Sequence, residues 1–465
     1  MPSSPSSAGP PSNPLKPSPR HHPLDVALRL FADVRAGEGP TVLLLTANVF
    51  LLLTAYYFLK VAREPLILLG GGAEVKSYAS VGQSILLVAV TVIYGWLASR
   101  VGRMSLIAWV TVFFVGNLVV FWALGERGAP LGVPFFLWVG IFNLVTVAQF
   151  WSFAADIYSE EQGKRLFPII GIGSSIGAVA GAWIADELFF IGPFRLMLMA
   201  GAVLLVSLAL TYVVNQREHQ AEGLRARSQE SVEKAEPIGG ANGFSLLIHD
   251  RYLMLFAILI LVLNLVTKTG DYVLDRKLIA AAHDAGQVTH AQATLFIGQF
   301  KARYFEWVNG IGVVLQLFAV SRIIKYLGLR AALVIMPIAS LAGYSAALAV
   351  PLLSVLFMAR AVESSLDYSL SNTTRQALWL VTSRGAKYKA KQVIDAFVVR
   401  FGDAASAGVV WVGAHEHFEL STFIVINILL CVAWLVSAVL LGRTYAERAT
   451  NAPPRSIPPG ALSNA

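Results

Sequence analysis

The sequence has little charge and almost no cysteine. Only 14% of its 465 residues are Asp, Glu, Lys or Arg, against about 25% in soluble globular domains, so an ordinary water-soluble protein is excluded. The single cysteine, Cys431, excludes an intrachain disulfide. Hydrophobic residues make up 56% of the chain and the mean hydropathy is +0.64. This composition indicates a protein that is embedded in a membrane.

Both ends of the chain differ from this apolar composition. Residues 1–40 open with the proline-rich stretch MPSSPSSAGPPSNPLKPSPRHHP, and residues 443–465 close with NAPPRSIPPGALSNA. Neither stretch has an apolar core that could stabilise a fold, so we expect two disordered tails. The net charge of +8 could serve nucleic-acid binding. In a chain with many membrane spans, however, excess Lys and Arg first serve orientation, so we expect no nucleic-acid partner.

Twelve stretches are long and apolar enough to cross a membrane as helices, each needing about 20 apolar residues. They begin near Thr41, Tyr78, Met104, Val133, Phe167, Phe194, Tyr252, Leu295, Ala331, Pro351, Gln392 and Ser421. The charged connection 215–250 is far longer than the others and separates residues 41–214 from residues 251–442. We therefore predict an all-α membrane protein with two six-helix bundles joined by a cytoplasmic linker.

The connections between predicted spans alternate in charge. One set is rich in basic residues: Arg100, Arg103, Lys164, Arg165, Arg217, Arg225, Arg227, Lys234, Arg322, Lys325, Arg330, Arg384, Lys387, Lys389 and Lys391. The opposite set is short or acidic. Because basic connections face the cytoplasm, both termini are predicted to lie there, and the membrane would be the inner (plasma) membrane if the source is bacterial.

The two halves of the sequence also repeat each other. GWLASRVGR at Gly95 has a counterpart in SRIIKYLGLR at Ser321, which places Gly102 opposite Gly328 at an offset of 226 residues. This repeat resembles the parallel halves of the major facilitator superfamily, whose loop motif Gly-x-Leu-Ala-Asp-Arg-x-Gly-Arg has an aspartate where this chain has Ser99. The resemblance implies a gating role for six residues: Gly95, Arg100, Gly102, Arg103, Arg322 and Gly328.

One predicted span, residues 351–380, carries an unusual polar stripe. Its polar residues are spaced 3, 1, 3, 4, 3 and 1 apart, as Arg360, Glu363, Ser364, Asp367, Ser371, Thr374 and Arg375. This spacing places them on one face of a helix. A charge facing lipid at the bilayer centre costs about 2.5–3.5 kcal/mol on insertion scales, so the stripe must face protein or a water-filled cavity. Such a lining is typical of a transporter rather than of an anchor.

Three other predicted spans carry polar residues at helical spacing. They are Tyr56, Lys60, Arg63 and Glu64 in the first, Asn264, Lys268, Asp271 and Asp275 in the seventh, and Gln299, Arg303, Glu306 and Asn309 in the eighth. Several of these lie at similar depth, so we expect them to meet in one cavity. Two alternatives stay open. Lys60, Arg63 and Arg276 could reach headgroups along their stems, and Arg360 could form a structural ion pair with Glu363 or Asp367.

The numbers of basic and acidic side chains do not decide whether the substrate is anionic. Within the predicted spans seven basic side chains face eight acidic ones, with Asp403 and Arg400 among them. The cavity is thus nearly balanced. The carboxylates would equally allow proton coupling.

Other motifs carry little functional signal. The glycines of GIGSSIGAVAG lie four residues apart at Gly173, Gly177 and Gly181, which favours close helix packing over a phosphate-binding loop. His415 and His417 stand alone on a short connection, so we expect no metal site. No zinc-protease motif and no serine nucleophile elbow occurs in the sequence. We therefore expect neither an enzyme nor a cofactor.

Three stretches resemble the ATP/ADP translocase family, the nucleotide transporters of plastids and intracellular bacteria. They are AYYFLKVAREPLIL from Ala55, FWSFAADIYSEEQGKRLFPIIG from Phe150, and YSLSNTTRQALWL from Tyr368 with KAKQVIDAFVVRFGDAASAG from Lys389. The resemblance extends from the first to the eleventh span and implies a nucleotide-transporter scaffold. It also implies that Lys60, Arg63 and Glu64 occupy charged positions of the family's first-helix motif, and that Arg375 replaces a lysine of its later motif.

The chain departs from that family at charged positions. Val139 and Thr267 stand where the family has glutamates, Asp403 replaces a lysine, and Gln376 replaces a further glutamate. A buried site that loses paired charges normally loses the ligand that matched them. We therefore expect the scaffold of the family without literal exchange of ATP for ADP.

The sequence favours a secondary transporter that moves a polar, anionic, nucleotide-like or phosphorylated metabolite by alternating access, as a monomer surrounded by membrane lipids. Candidate substrate contacts are Lys60, Arg63, Lys268, Arg303, Arg360 and Arg375. Candidate charge-balancing or proton-coupling residues are Glu64, Asp271, Glu306, Glu363, Asp367 and Asp403. Two alternatives are a proton-coupled facilitator of an unrelated solute and a non-transporting membrane partner or sensor that kept the scaffold.

Overall fold

The computed structural model of the chain describes residues 34–35, 38–225, 243–286, 289–382, 389–391 and 393–451, and its regular structure there is entirely helical. The helices are α1 (Gly39–Ala98), α2 (Arg103–Gly125), α3 (Gly132–Ile157), α4 (Glu160–Leu188), α5 (Pro193–Arg225), α6 (Gly243–His249), α7 (Arg251–Asp284), α8 (His290–Val314), α9 (Gly328–Ala349), α10 (Leu353–Leu366), α11 (Val399–His415) and α12 (Leu420–Asn451).

Four of these helices are continued by further helical segments. The segments are Phe189–Ile191 after α4, Leu315–Ala319, Val320–Arg322 and Ile323–Leu327 after α8, Asp367–Ser371, Asn372–Leu378 and Trp379–Val381 after α10, and Ile394–Val398 before α11. Asp367–Ser371 and Ile394–Val398 are π-helical turns. Such turns interrupt regular spacing and are common near functional sites, so the polar stripe of residues 351–380 is not one regular α-helix.

Eight helical segments of the described chain are long and apolar enough to cross a membrane. Two of them, Gly39–Ala98 and His290–Ala349, are 60 residues long, which is more than twice what one crossing needs. The first bends at Gly72, whose φ of +80° suits glycine and breaks the helix. Two crossings in each long segment, together with the polar helices α10 and α11, would give the predicted twelve. That number therefore stays a prediction.

The boundaries of the predicted tails and linker differ from the helix ends. Within the predicted linker 215–250, α5 continues to Arg225 and α6 occupies Gly243–His249. Within the predicted tail 443–465, α12 continues to Asn451, where Arg448 pairs with Asp250 at 2.5 Å and ties the end of α12 to the start of α7. The rest of that tail, most of the tail 1–40, and Arg227, Lys234, Arg384 and Lys387 lie outside the described residues.

Packing of α1 against α4 depends on the glycine stripe of α4. A Cβ atom at Gly177 would lie 2.4 Å from the Phe50 carbonyl oxygen, and one at Gly173 would lie 2.6 Å from that of Thr46. At Gly181 a Cβ would lie 2.8 Å from Thr54 Cα. Any larger side chain would therefore push the two helices apart. The predicted role of these glycines in close helix packing is confirmed.

The helices alternate in direction between two ends of the bundle. We call the end that holds the start of α1 and the end of α12 proximal, and the opposite end, which holds the bend at Gly72, distal. Gly102 caps the start of α2, and Gly328 begins α9 with a φ of +79°. Both repeat glycines therefore lie at equivalent proximal turns, one in each half of the chain.

Candidate functional site

A cavity of about 530 Å³ lies between α1 to α5, the N-terminal half, and α7 to α12, the C-terminal half. Nine of the twelve predicted binding and charge-balancing residues line it: Lys60, Arg63, Glu64, Lys268, Asp271, Arg360, Asp367, Arg375 and Asp403. They come from α1, α7, α11 and the α10 segment. Residues far apart in sequence thus meet in one place because the two halves pack face to face.

The cavity lining carries more positive than negative side chains. Seven cations line it: Lys60, Arg63, Lys76, Lys268, Lys301, Arg360 and Arg375. Five carboxylates line it: Glu64, Asp271, Asp275, Asp367 and Asp403. The lining therefore has a formal excess of two positive charges.

An ion-pair network in the distal part of the cavity joins the two halves. Lys76 Nζ donates to Glu64 Oε2 at 2.5 Å and to Asp275 Oδ2 at 2.8 Å. Lys301 Nζ donates to Asp275 Oδ1 and lies 3.7 Å from Glu64 Oε2. Arg63 Nε donates to the other oxygen of Glu64 at 3.2 Å. Because each carboxylate contacts cations from both halves, the network holds the distal ends together.

Other contacts reinforce this distal closure. Arg303 Nε lies 2.9 Å from Asp186 Oδ2 and so connects α8 to α4. The hydroxyl of Tyr272 donates to Glu74 at 2.7 Å. Among the described residues, the ion pairs that join the two halves lie in the distal part of the bundle. The conformation is therefore one in which the distal side of the cavity is closed.

Lys60 lies in a different environment from the other cavity cations. Its Nζ is 4.1 Å from the ring centroid of Phe305, 5.0 Å from that of Tyr57 and 5.8 Å from that of Tyr56. Within the described part of the chain no carboxylate lies within 4.0 Å of this nitrogen. Lys60 is thus held by aromatic rings rather than by a carboxylate.

Deeper in the bundle, Asp403 connects α11 to the second crossing of α1. The hydroxyl of Ser84 donates to Asp403 Oδ2 at 2.7 Å, and Arg400 donates to Ser84 at 2.9 Å. Lys268 Nζ lies 4.0 Å from Asp403 Oδ1 and is 39% exposed. Towards the proximal end, Arg375 pairs with Asp367 at 3.2 Å. Lys268 and Arg375 both border the cavity, and Lys268 is the more weakly paired of the two.

Three predicted site residues do not line the cavity, and their assignment as cavity contacts is corrected. Arg303 points to Asp186 on α4 and is 62% exposed. Glu306, one turn further along α8, faces the same acidic side. Glu363 is buried behind Arg360, 2.6 Å from its guanidinium. On α8 a different face of the helix borders the cavity, whereas on α10 Glu363 lies behind Arg360, which itself borders the cavity.

Several cavity residues escaped sequence analysis. Lys76 lay in a predicted connection, and Lys301 lay between Gln299 and Arg303 but off the predicted polar face of its span. On α8 the cavity is bordered by Lys301, Tyr304, Phe305 and Val308, spaced 3, 1 and 3 apart. That spacing is itself one helical face and could have been found by including aromatic residues.

The predicted gating residues lie at the proximal end and contact residues of their own half. Arg103 lies 3.5 Å from Asp156 and donates to Asn215 at 3.1 Å. Arg100 stacks on Trp96 at 4.2 Å, and Arg322 donates to the Phe318 carbonyl oxygen. Gly95 and Gly102 have no atom within 4 Å of a built Cβ. Their gating role stays a prediction.

A weak sequence relative is found among known proteins. No family model matches the chain. It is 25% identical over 269 residues to ADP,ATP carrier protein 2 of Chlamydia trachomatis serovar D, which is 45% of this chain and 49% of that protein. The match thus spans about half the length of that relative. The resemblance to the ATP/ADP translocase family noted from the motifs is supported.

Solved structures resemble the whole chain. The bacterial homologue of the human lysosomal transporter Spinster, in an inward-facing and unoccupied conformation, matches with a TM-score of 0.58 and 13% identity, covering 88% of this chain and 98% of that one. The nucleoside transporter NupG matches at 0.59 and 13%, covering 88% and 99%.

A third match, a POT family transporter in complex with 5-aminolevulinic acid, has a TM-score of 0.61 and 12% identity, covering 88% and 96%. These three proteins are transporters rather than enzymes. At such low identity the likeness defines the fold alone. The chain is thus an all-helical, multi-pass membrane protein with the fold of major facilitator transporters.

Proposed function

We propose that the protein is a secondary active transporter that moves a polar, anionic, nucleotide-like or phosphorylated metabolite across the membrane by alternating access. The observation that carries this proposal is the cavity between the halves, where seven cations face five carboxylates. An anchor or a sensor would have no use for buried charge of this density, because each ionised group in a membrane span is costly.

Substrate contacts in this proposal are the cations with spare binding capacity. Lys60 is held by aromatic rings, Lys268 lies 4.0 Å from its nearest carboxylate, and Arg375 has one partner at 3.2 Å. Arg63, which stacks on Phe136 at 4.7 Å, borders the same space. Phosphate or carboxylate oxygens would bind these groups as charge-assisted hydrogen-bond acceptors.

Aromatic rings of the lining suit a substrate that also has a planar or sugar-like part. Tyr56, Phe136, Tyr304, Phe305 and Tyr368 all border the cavity. A ring system could stack on these faces while its phosphate binds the cations. The relative from Chlamydia trachomatis, a carrier of ADP and ATP by name, supports a nucleotide-like ligand. Thr267 and Asp403 border this cavity at positions where that family has a glutamate and a lysine. These differences favour a nucleotide-like or phosphorylated substrate other than ATP and ADP.

The distal ion pairs provide the gate of the alternating-access cycle. With both termini in the cytoplasm, the distal end faces outwards, and the closed network of Lys76, Glu64 and Asp275 defines an inward-facing state. Rocking of the two halves would separate these residues and open the cavity on the opposite side. The proximal loops that carry Arg100, Arg103 and Arg322 would then close.

Uptake into proteoliposomes tests this proposal. The purified full-length chain is reconstituted and supplied with radiolabelled nucleotides, phosphorylated sugars and phospholipids, and each compound is also tested for a shift in melting temperature. We expect at least one phosphorylated compound to accumulate above protein-free liposomes and to stabilise the protein. If none moves and none shifts the melting temperature, the anion transporter is refuted.

A further inference from the structure

A second, smaller cavity lies inside the N-terminal half of the protein. Its volume is about 30 Å³, and its lining comes from α1, α2, α3 and α5. Six polar side chains line it, each at most 7% exposed: Asn48, Thr111, Thr146, Gln149, Ser207 and Thr211. None of these six borders the larger cavity between the halves. Because lipid offers no hydrogen bonds, polar groups inside a membrane bundle need partners within it.

On the side of α1 and α5, the polar groups of this cavity satisfy one another. Asn48 Nδ2 donates to Thr211 Oγ1 at 2.7 Å, and the Ser207 hydroxyl donates to Asn48 Oδ1. The Thr211 hydroxyl donates in turn to the Ser207 carbonyl oxygen at 2.9 Å. The protons of both hydroxyls are therefore used. What remains on Ser207 and Thr211 is the capacity of each hydroxyl oxygen to accept a further hydrogen bond.

On the side of α2 and α3, hydrogen-bonding capacity is left unused. Gln149 Nε2 is buried and has no hydrogen-bond partner among the described residues, although Tyr94 on the second crossing of α1 faces the same amide. The Thr111 hydroxyl likewise forms no hydrogen bond within the described part of the chain. The Thr146 hydroxyl donates to the Phe142 carbonyl oxygen of its own helix. Donors without a partner and oxygens that can still accept thus line the same cavity.

The size and chemistry of this cavity suit water. About 10–15 Å³ is enough for one water molecule, so a volume of about 30 Å³ admits one or two. None of the described lining residues is charged, so an ion would be bound there without compensation. An apolar occupant would leave Gln149 and Thr111 unpaired. A water both donates and accepts, and the two to four polar partners that it needs are present in the lining.

We propose that this cavity is a water-binding site, and that the bound water joins α2 and α3 to the hydrogen-bonded pair of α1 and α5. The water accepts hydrogen bonds from the Gln149 amide and the Thr111 hydroxyl and donates to the Ser207 hydroxyl oxygen. Three helices thus share one bridging molecule, which satisfies polar groups that lipid cannot reach. The bridge stabilises the N-terminal half whether or not that half moves during transport, so this inference is independent of the proposed function.

An experimental structure of the full-length wild-type chain tests the site directly. The protein is placed in a lipid nanodisc and imaged at a resolution that shows ordered water. We expect a density peak in this cavity within hydrogen-bonding distance of the Gln149 amide and of the hydroxyl of Thr111 or Ser207. The proposal is overturned if the map shows ordered water elsewhere in the bundle but no peak here, or if the Gln149 amide is instead paired with another side chain.

Two substitutions test the bridge in detergent through the melting temperature. Thr111→Val and Gln149→Met keep the approximate size of each side chain but remove its hydrogen bonds. With a bridging water, each should lower the melting temperature by a few degrees. The double variant should fall by less than the sum, because the second substitution no longer breaks an intact bridge. A dry cavity predicts the opposite sign, since each substitution would then remove an unpaired buried polar group.

Thr294→Val is the control substitution, because the Thr294 hydroxyl lies in the other half and donates to the His290 carbonyl oxygen of its own helix at 2.7 Å. Its shift should add to that of Gln149→Met. The bridge is refuted if Thr111→Val and Gln149→Met raise the melting temperature, or if their shifts are as additive as those of the control pair. Neither measurement requires transport, so such a result would leave the proposed function standing.

Discussion

Lys76 and Asp275 form an ion pair between the two halves of the protein, with Nζ 2.8 Å from Oδ2. Lys76 also donates to Glu64, and Asp275 also accepts from Lys301. All four side chains are at most 14% exposed. Removing one partner of a buried ion pair typically costs about 3–5 kcal/mol, because the other charge stays buried without compensation. Separating the halves at this end therefore needs water or substrate to replace these contacts.

Asp275→Asn should weaken the distal closure. Lys76 and Lys301 would then share the single carboxylate of Glu64, and their repulsion would favour the distally open state. The measurement is the rate at which a membrane-impermeant thiol reagent labels Ser80→Cys, a cavity position, from the distal face in a Cys431→Ala background. We expect faster labelling in Asp275→Asn. Asp284→Asn, an exposed acid on the same helix, is the control, and equal rates in all three proteins would refute the gate.

Lys60→Gln should impair substrate binding more than folding. Loss of a charge-assisted hydrogen bond of about 1.5–3 kcal/mol corresponds to a roughly ten- to hundredfold higher KM. Lys60→Arg should retain part of the activity because it keeps the charge near Phe305. Arg127→Gln removes an exposed cation between α2 and α3 and should leave KM unchanged. An unchanged KM in Lys60→Gln would remove Lys60 from the binding site.

Gly177→Ala should destabilise the packing of α1 on α4. Its Cβ would lie 2.4 Å from the Phe50 carbonyl oxygen, which cannot move aside as a flexible side chain would. Overpacking of this kind costs about 1–3 kcal/mol, so the melting temperature in detergent should fall by several degrees. Gly171→Ala, on the same helix with no atom within 4 Å of its Cβ, is the matched control. Equal melting temperatures of the two variants would contradict the packing.

Glu38, the residue before α1, should make the stability of the fold decrease at acid pH. Burial acts to raise the pKa of Glu38, but hydrogen bonds from Arg165, the Arg35 backbone and Gln162 outweigh it and hold the pKa below its ordinary value of 4.5. A lowered pKa stabilises the fold above pH 4.5, and this contribution is lost as the pH falls through the folded-state pKa. Arg165→Gln should therefore lower the melting temperature at pH 7, with a difference from wild type that shrinks below pH 4.5. A difference that stays constant down to acid pH would exclude Glu38 as its source.

The helical fold and much of the cavity lining follow from residue patterns. The stripe of Arg360, Asp367 and Arg375 and the charged residues of the first and seventh spans were predicted to meet, and the structure places them around one cavity. Local spacing suffices to predict these cavity residues because a charged side chain in a membrane span must face the bundle interior or a water-filled cavity.

The remaining cavity residues could not be assigned from spacing. Arg303 and Lys301 are two residues apart on α8 and point in different directions, and only Lys301 borders the cavity. The choice depends on how α8 is rotated against α4, which is a tertiary property. Lys76 was not predicted to line the cavity because it was assigned to a connection between spans. The bend at Gly72 lets α1 continue into a second crossing, and this places Lys76 in the cavity.

The most direct test of the account is transport by a protein whose distal end can be locked. Asp186→Cys and Arg303→Cys replace an ion pair between the halves that is 2.9 Å long, and a short reducible bis-thiosulfonate reagent would join them in the Cys431→Ala background. We predict that uptake of a radiolabelled phosphorylated compound stops on cross-linking and returns on reduction. The reagent should not change uptake by either single-cysteine protein. Continued uptake by the cross-linked protein would contradict alternating access through this cavity.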